Sequence, residues 1–273
     1  MNQESISQSN ILCTLESLGE MYIRDFLNDP DNKDLTDDWY KAFMFFISHL
    51  YMQGRRDEVS EKFLAEMKKC LAKGLGDSPA AALESLWNEG ALPHEQITKE
   101  FNLKDSSLGR LFTREMGKGR DLEMVLDALR YVHGVPEYNI VKYSLSKINQ
   151  GKISDHRADL QKIRQVGPKV SAFYLRDLTF LFHIELDLKD CISLQPIDTW
   201  VRKVRKLTDP SSANSKIKDD EWFVEQKKKG HDPALLNAGA WYLGKHSFDF
   251  CLEVLSKKKM SREEVFSLKL LKE

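Results

Sequence analysis

Apolar residues recur at helical spacing along most of the chain. In the first segment Leu15, Leu18, Tyr22 and Phe26 follow one another at intervals of three or four, which places them on one face of a helix. Glycine, proline or a capping residue bounds most such segments. The predicted helices cover residues 11–28, 36–54, 59–73, 78–88, 93–101, 107–116, 121–133, 136–148, 159–164 and 168–183. We see no convincing strand pattern, so we predict an all-α fold.

Two local sequence features set one predicted helix start and one predicted domain boundary. Thr36 precedes Asp37 and Asp38, as an N-cap precedes acidic residues of a first turn, so we expect the second helix to begin there. The run 74–77, Gly-Leu-Gly-Asp, interrupts the helical pattern, and we place a domain boundary at this point.

Composition narrows the class of protein. The 273 residues are 41 % hydrophobic and 30 % charged, and no apolar run approaches the length of about 18 residues that a membrane span needs. Residues 1–10 are polar, unlike a signal peptide, so we expect a cytoplasmic or nucleoid location without membrane association. The four cysteines form no Cys-x-x-Cys pair, and we therefore expect reduced thiols rather than zinc ligation or a disulfide framework.

Charge is unevenly distributed along the chain. The formal net charge is -1. Residues 141–210 nevertheless contain 13 Lys and Arg against 8 Asp and Glu, whereas residues 1–60 contain 5 against 11. The basic excess is compatible with one face that contacts nucleic acid.

The basic stretch contains a lysine at an unusual position. Gly167 permits a left-handed turn, and Pro168 suits the first position of the helix that follows. Lys169 then falls in the first helical turn, where the macrodipole disfavours a cation and favours the neutral amine that nucleophilic chemistry requires. The alternative is a solvated lysine at a helix end.

An aspartate follows 29 positions later. Asp198 lies between the run 195–197, Gln-Pro-Ile, and a helical pattern that begins at Thr199, which is the position of an N-cap. Capping alone would account for this residue. A carboxylate that takes part in catalysis is the second interpretation.

Helical spacing also groups residues that could form a binding surface. In the helix 168–183, Lys169, Phe173 and Arg176 fall on a face of their own, which we expect to point into a cleft. The apolar stripe of that helix consists of Val170, Tyr174, Leu178 and Leu181. Further along, Asn237 and Trp241 are four positions apart and share a helical face.

The segments 163–169 and 196–201 together resemble the helix-hairpin-helix DNA glycosylases. That superfamily has a hairpin of the form apolar-x-Gly-apolar-Gly-x-Lys, followed by a Pro-apolar-Asp-Thr segment that opens a helix. Lys169 matches the lyase lysine and Asp198 matches the essential aspartate. Gln165 replaces the first hairpin glycine, and the long gap between lysine and aspartate is similar to that of the archaeal-type 8-oxoguanine glycosylases.

The resemblance implies two helical domains that flank a cleft, with the helix-hairpin-helix as a DNA-binding motif. The first would comprise residues 77–185, and the second residues 1–76 plus 186–273. The damaged base would be held by Phe173, Trp241 and Asn237. The residues that would bind DNA phosphate are Gly167, Pro168, Lys169 and Arg202.

The resemblance also carries expectations about cofactors and partners. A sodium or potassium ion would be held by the carbonyl groups of Gln161, Ile163 and Val166, and no cofactor would be required. The chain lacks the clustered cysteines of the iron-sulfur branch, so we expect no such cluster. The expected partner is double-stranded DNA with a damaged base, bound by a monomer.

Three functions remain open at this stage. The first is a glycosylase with lyase activity, for which the resemblance implies 8-oxoguanine as the substrate. The second is a glycosylase for an oxidised pyrimidine or an alkylated purine. The third is a noncatalytic DNA-binding protein in which the hairpin only holds phosphate and Asp198 only caps its helix.

Overall fold

The computed structural model describes residues 8–28, 32–52, 57–76, 78–88, 119–208 and 219–257. Twelve α-helices and no strand occur within these ranges, which confirms the all-α prediction. The predicted helices 93–101 and 107–116 lie outside the described residues. In chain order the helices are α1 (Gln8–Tyr22), α2 (Trp39–Tyr51), α3 (Asp57–Leu75), α4 (Pro79–Asn88), α5 (Gly119–His133), α6 (Ile140–Asn149), α7 (Ile153–Leu160), α8 (Pro168–Leu181), α9 (Leu188–Ser193), α10 (Thr199–Thr208), α11 (Asp219–Lys228) and α12 (Pro233–Lys257).

Two shorter helical turns extend this set. A π-helical turn at Ile23–Leu27 continues α1, and a 3-10 turn at Pro136–Tyr138 precedes α6. None of the helices is long and apolar enough to cross a membrane, as far as the described ranges extend.

The chain folds into two compact units. Met1–Asp29 and Leu175–Glu273 form the first, which we call the terminal unit, and Pro30–Tyr174 forms the second, the middle unit. This division differs from the bounds 77–185 and 1–76 plus 186–273. The reason lies in α2, which packs against α3, α5 and α6 and so draws residues 30–76 into the middle unit.

The middle unit is built around α2. Almost every residue of this helix is apolar, and both Phe43 and Phe46 are fully buried. A helix that is apolar on all sides requires neighbours on all sides, which α3, α5 and α6 supply. Asn139 joins two parts of the unit, since its amide nitrogen donates to the carbonyl of Leu35 at 2.9 Å and its amide oxygen caps α6.

The start of α2 corrects one predicted cap. The helix begins at Trp39, and its N-cap is Asp38 rather than Thr36, with Oδ1 accepting from the main-chain nitrogens of Tyr40 and Lys41 at 2.9 and 3.0 Å. A turn around Asp34, which has a positive φ of 64°, occupies the residues before it. That turn displaces the helix start by two residues.

The terminal unit is built on the contact of α1 with α12. At Gly19 and Gly239 an added Cβ would collide with main-chain atoms of the opposite helix. The two backbones therefore approach at a distance that only glycine permits at these positions. The short helices α9, α10 and α11 also contact α12.

Candidate functional site

The hairpin turn connects α7 to α8 within the middle unit. Its main chain closes through hydrogen bonds from Ile163 to Leu160 and from Val166 to Ile163, at 3.1 and 3.0 Å. Ile163 and Val166 are buried and anchor the turn in the core. The helix before the turn is Ile153–Leu160, so the predicted helix 159–164 is wrong in its bounds, because these residues form the turn itself.

The left-handed residue of this turn is Gln165, with a φ of 69°. Our expectation that Gly167 would have the left-handed conformation is wrong, since Gly167 is not among the residues of positive φ. Gln165 is the position at which the glycosylase hairpin has its first glycine. A side chain therefore occupies a backbone conformation that glycine adopts at lower cost.

Gly167 is not required to be glycine by this fold. A Cβ added there would meet no atom within 4 Å. Its carbonyl accepts from the main-chain nitrogen of Ser171 at 3.1 Å, in the first turn of α8. The position is open to a group that approaches the backbone closely.

Lys169 is the second residue of α8 and is half-buried. Two hydrogen bonds link the first turn of α8 to the residues before it. Arg157 donates to the carbonyl of Pro168 at 3.3 Å, and Gln161 donates to the hydroxyl of Ser171 at 3.3 Å. The lysine thus stands at a helix start, as predicted, in the middle unit.

The face of α8 that we expected to point into a cleft is buried. All residues from Val170 to Thr179 are buried, including Phe173 and Arg176. Phe173 is 8 % exposed, and its ring centroid lies 4.9 Å from that of His49. Phe173 therefore packs in the middle unit, and its stacking against a base stays a prediction.

Asp198 caps α10 in the terminal unit. Its Oδ1 accepts from the main-chain nitrogens of Trp200 and Val201 at 2.9 and 3.0 Å, which confirms the predicted N-cap. The carboxylate is half-buried. The same end of α10 packs closely against α12. An added Cβ at Gly244 on α12 would collide with the ring of Trp200.

Asn237 joins α12 to the turn before Asp198. Its amide nitrogen donates to the carbonyl of Pro196 at 3.0 Å, and its amide oxygen accepts from the guanidinium of Arg176 at 2.6 Å. The side chain is 1 % exposed. Its observed role is to position the turn at 196–198, and its predicted role in base binding stays a prediction.

Sequence analysis did not identify the charged network behind Asn237. Arg176 forms an ion pair with Asp177 at 2.7 Å, and the hydroxyl of Tyr22 donates to the second oxygen of the same carboxylate. All three side chains are buried. The one signal in the sequence was the adjacent Arg176 and Asp177 within a largely apolar helix, which suggests a buried pair.

The network also shifts the titration of its members. Burial, together with the negative charge of Asp177, raises the pKa of Tyr22 well above its usual range. Burial works to lower the pKa of Arg176, but the interactions with Asp177 and Tyr22 together outweigh it and raise the pKa. Tyr22 is therefore a neutral donor and Arg176 a permanent cation.

Trp241 lies one helical turn after Asn237 on α12. Its ring meets those of Tyr22 and Phe26 edge to face, with centroids 5.3 and 5.4 Å apart. Lys245 lies 5.3 Å from the ring. Trp241 is half-buried, so part of this aromatic cluster reaches the surface.

The exposed side of α10 is basic. Val201, Val204 and Arg205 are buried, whereas Arg202, Lys203 and Lys206 are exposed, as the helical period requires. Arg202 lies 3.4 Å from a carboxylate oxygen of Asp219. The basic side therefore follows directly on Asp198 along one short helix.

An open groove lies next to the hairpin in the middle unit. Its volume is about 380 Å³, and Tyr131, Tyr143, Asp159 and Lys162 are among its lining residues. Lys162 and Asp159 form an ion pair at 2.7 Å across its edge. The predicted site residues do not line this groove, apart from Ile163.

In comparisons with known proteins, no family model, no curated protein and no solved structure matches the chain. The function must therefore be argued from the residues themselves.

Proposed function

We propose that this protein is a bifunctional DNA glycosylase and lyase that excises an oxidised base, 8-oxoguanine, from double-stranded DNA. One observation carries the proposal. The turn before Lys169 has a left-handed residue at Gln165, where the resembling hairpin has glycine, and a glycine at 167 that the fold itself does not need. A glycine without a structural reason is expected where a ligand approaches the backbone.

The proposed reaction begins with the neutral amine of Lys169. The amine attacks C1′ of the damaged nucleotide, the bond from C1′ to the base breaks, and the base leaves with the bonding electrons and takes up a proton. The resulting Schiff base between Lys169 and the opened sugar permits β-elimination, which cleaves the strand on the 3′ side. Asp198 stabilises the positive charge that develops on the deoxyribose.

DNA phosphate would be held at two places. The main-chain nitrogens at the start of α8, beyond Gly167 and Pro168, form the anion site of a helix N-terminus, and Lys169 adds its charge there. The exposed side of α10 supplies Arg202, Lys203 and Lys206. Such contacts are independent of sequence and weaken with salt.

The damaged base would have to leave the helical stack before it reacts. Trp241 is the aromatic residue best suited to receive it, because this ring is only half-buried. Phe173 and Asn237 are both buried, so their contact with a base requires a rearrangement of their surroundings. A sodium or potassium ion at the carbonyls of Gln161, Ile163 and Val166 would assist the hairpin, and the enzyme would act in the cytoplasm or nucleoid.

Borohydride trapping tests the nucleophile. The full-length protein is mixed with a duplex that contains 8-oxoguanine, and reduction should yield a covalent complex. Lys169→Gln should abolish trapping, whereas Lys162→Gln, which removes an exposed lysine of the same hairpin, should leave it unchanged. Absence of trapping with the unaltered protein and a panel of damaged duplexes would refute the proposal. Trapping on an oxidised pyrimidine or alkylated purine alone would reassign the substrate.

A noncatalytic DNA-binding protein is the second candidate, and the cap made by Asp198 favours it. Asp198→Asn separates the two roles, because asparagine caps a helix about as well as aspartate but carries no charge. In the enzyme, this variant keeps its melting temperature and loses at least about tenfold in single-turnover excision. In the binding protein, neither stability nor DNA affinity changes, and no strand cleavage occurs with either form.

A further inference from the structure

Three side chains able to bind a soft metal ion converge in the terminal unit. Cys13 and Glu16 lie three positions apart on α1 and so share a face, and His231 lies in the turn between α11 and α12. One potential ligand atom from each residue lies within 4.8 Å of the other two. Within the described ranges this is the one group of three or more such ligands.

Two of the three ligands are already held in place. One oxygen of Glu16 lies 3.0 Å from Nδ1 of His231, and its other oxygen accepts from the main-chain nitrogen of Asp232 at 2.7 Å. Both side chains are largely buried, at 23 % and 11 % exposure. The hydrogen bond from Asp232 to Glu16 is of the kind that orients the ligands of metal sites, whereas the contact between Glu16 and His231 already brings two ligands together. Cys13 is exposed, which leaves its thiol open to an incoming ion.

The geometry points to a zinc site formed by Cys13, Glu16 and His231, with water in the fourth position. Thiolate and imidazole favour zinc over magnesium or calcium, which prefer oxygen ligands alone. The thiolate and the carboxylate together balance the two positive charges of the ion. In a tetrahedral site with bonds of about 2.0–2.3 Å the ligand atoms are about 3.3–3.8 Å apart, so the three ligand atoms, which lie within 4.8 Å of one another, would adjust their spacing when the ion binds.

The site would join α1 to the beginning of α12, where Asp232 caps the helix with Oδ1 2.8 Å from the nitrogen of Ala234. We expected no zinc ligation because the cysteines form no Cys-x-x-Cys pair. Glu16 and His231 are far apart in the chain, so cysteine spacing gave no sign of this site. A site assembled from distant segments leaves no compact motif in the sequence.

Zinc titration of the full chain tests this inference without reference to any enzymatic activity. Protein freed of metal with a chelator is titrated with zinc in competition with a chromophoric chelator, and one zinc ion per chain should bind. Cys13→Ser should weaken binding at least about tenfold, and Glu16→Gln should do the same. Cys191→Ser, at the other cysteine whose side chain the structure describes, should leave the affinity unchanged.

Cobalt provides a second readout of the same ligands. Cobalt-loaded protein should show the charge-transfer absorption of a thiolate bound to cobalt, and Cys13→Ser should remove it. Absence of stoichiometric zinc binding would overturn the inference. Equal zinc affinity in the Cys13→Ser and unaltered proteins, each folded by circular dichroism, would overturn it as well, because the ion would then bind elsewhere.

Discussion

Gln165 is the residue at which the hairpin departs from the pattern it resembles. With a φ of 69° it has the left-handed conformation, which costs a residue with a side chain about 1–2 kcal/mol. Glycine avoids this cost but loses more entropy on folding. We therefore expect Gln165→Gly to raise the free energy of unfolding by about 0.5–1 kcal/mol, measured by urea denaturation.

Gly167, two residues later, provides the matched comparison for the Gln165→Gly variant. Its backbone is not left-handed and an added Cβ has space, so Gly167→Ala should change stability by less than about 0.5 kcal/mol or increase it. If Gln165→Gly destabilises the protein and Gly167→Ala does so as well, the turn does not have the conformation described. Loss of DNA affinity in a stable Gly167→Ala variant would support phosphate binding at this turn.

The buried residue His156 should make the stability of the protein depend on pH. Its Nε2 lies 2.8 Å from the hydroxyl of Ser144, and burial lowers its pKa from 6.5 to about 4. Between these two values the unfolded chain binds a proton at this histidine and the folded chain does not. The free energy of unfolding should therefore fall by about 2–3 kcal/mol as the pH decreases from 7 to 4, with the decrease beginning near pH 6.5 and levelling off below about pH 4.

The comparison for this effect is His156→Gln, which removes the titrating group. Carboxylates also take up protons as the pH decreases over part of the same range, so the relevant quantity is the difference between the two curves of unfolding free energy against pH. The variant should show a shallower decrease between pH 6.5 and 4. Parallel curves over that interval would contradict the assignment of a neutral buried imidazole.

At the scale of elements, the contact of α1 with α12 depends on glycine. A methyl group at Gly239 would overlap the carbonyl oxygen of Leu15, and neither atom belongs to a flexible side chain. Overpacking of this kind costs about 1–3 kcal/mol or more, so Gly239→Ala should lower the urea midpoint clearly. Gly167→Ala serves again as the control, since it adds the same group where there is space.

The positions of most helices along the chain could be predicted from the sequence, whereas the elements that each helix packs against could not. Apolar periodicity and caps such as Asp198 depend on local sequence, so most helices in the described ranges lie close to their predicted bounds. The burial of Phe173 and Arg176 was missed because periodicity shows which residues share a face, not what covers that face. The start of α2 was misplaced because a turn at Asp34 competes with the helix for the same residues.

At the scale of the whole molecule, the terminal unit combines two segments that are distant in sequence, Met1–Asp29 and Leu175–Glu273, whereas the middle unit is one continuous segment. The assignment of residues 30–76 depends on which helices α2 packs against, and composition does not encode that choice. The positions of Lys169 and Asp198 at helix starts were predictable because each belongs to a short local motif. The contacts of Asn237 with Pro196 and Arg176, which position the turn before Asp198, join residues that are distant in sequence and could not be predicted in this way.

The network of Tyr22, Arg176, Asp177 and Asn237 illustrates this dependence on distant segments. It connects α1, α8 and α12 to the turn that carries Asp198, entirely within the terminal unit. The guanidinium of Arg176 is 1 % exposed, and Asp177 supplies the negative charge that it contacts at 2.7 Å. Removal of that charge leaves a buried cation without compensation, which is costly in a medium of low polarizability.

Asp177→Asn should therefore lower the free energy of unfolding by about 3–5 kcal/mol. Tyr22→Phe, which removes one hydrogen bond to the same carboxylate, should cost less, about 1–3 kcal/mol. Glu225→Gln, at an exposed ion pair with Lys229 in the same unit, should change stability little. Urea denaturation of the three variants measures these differences, and an effect of Asp177→Asn no larger than that of Glu225→Gln would show that the network does not stabilise the terminal unit.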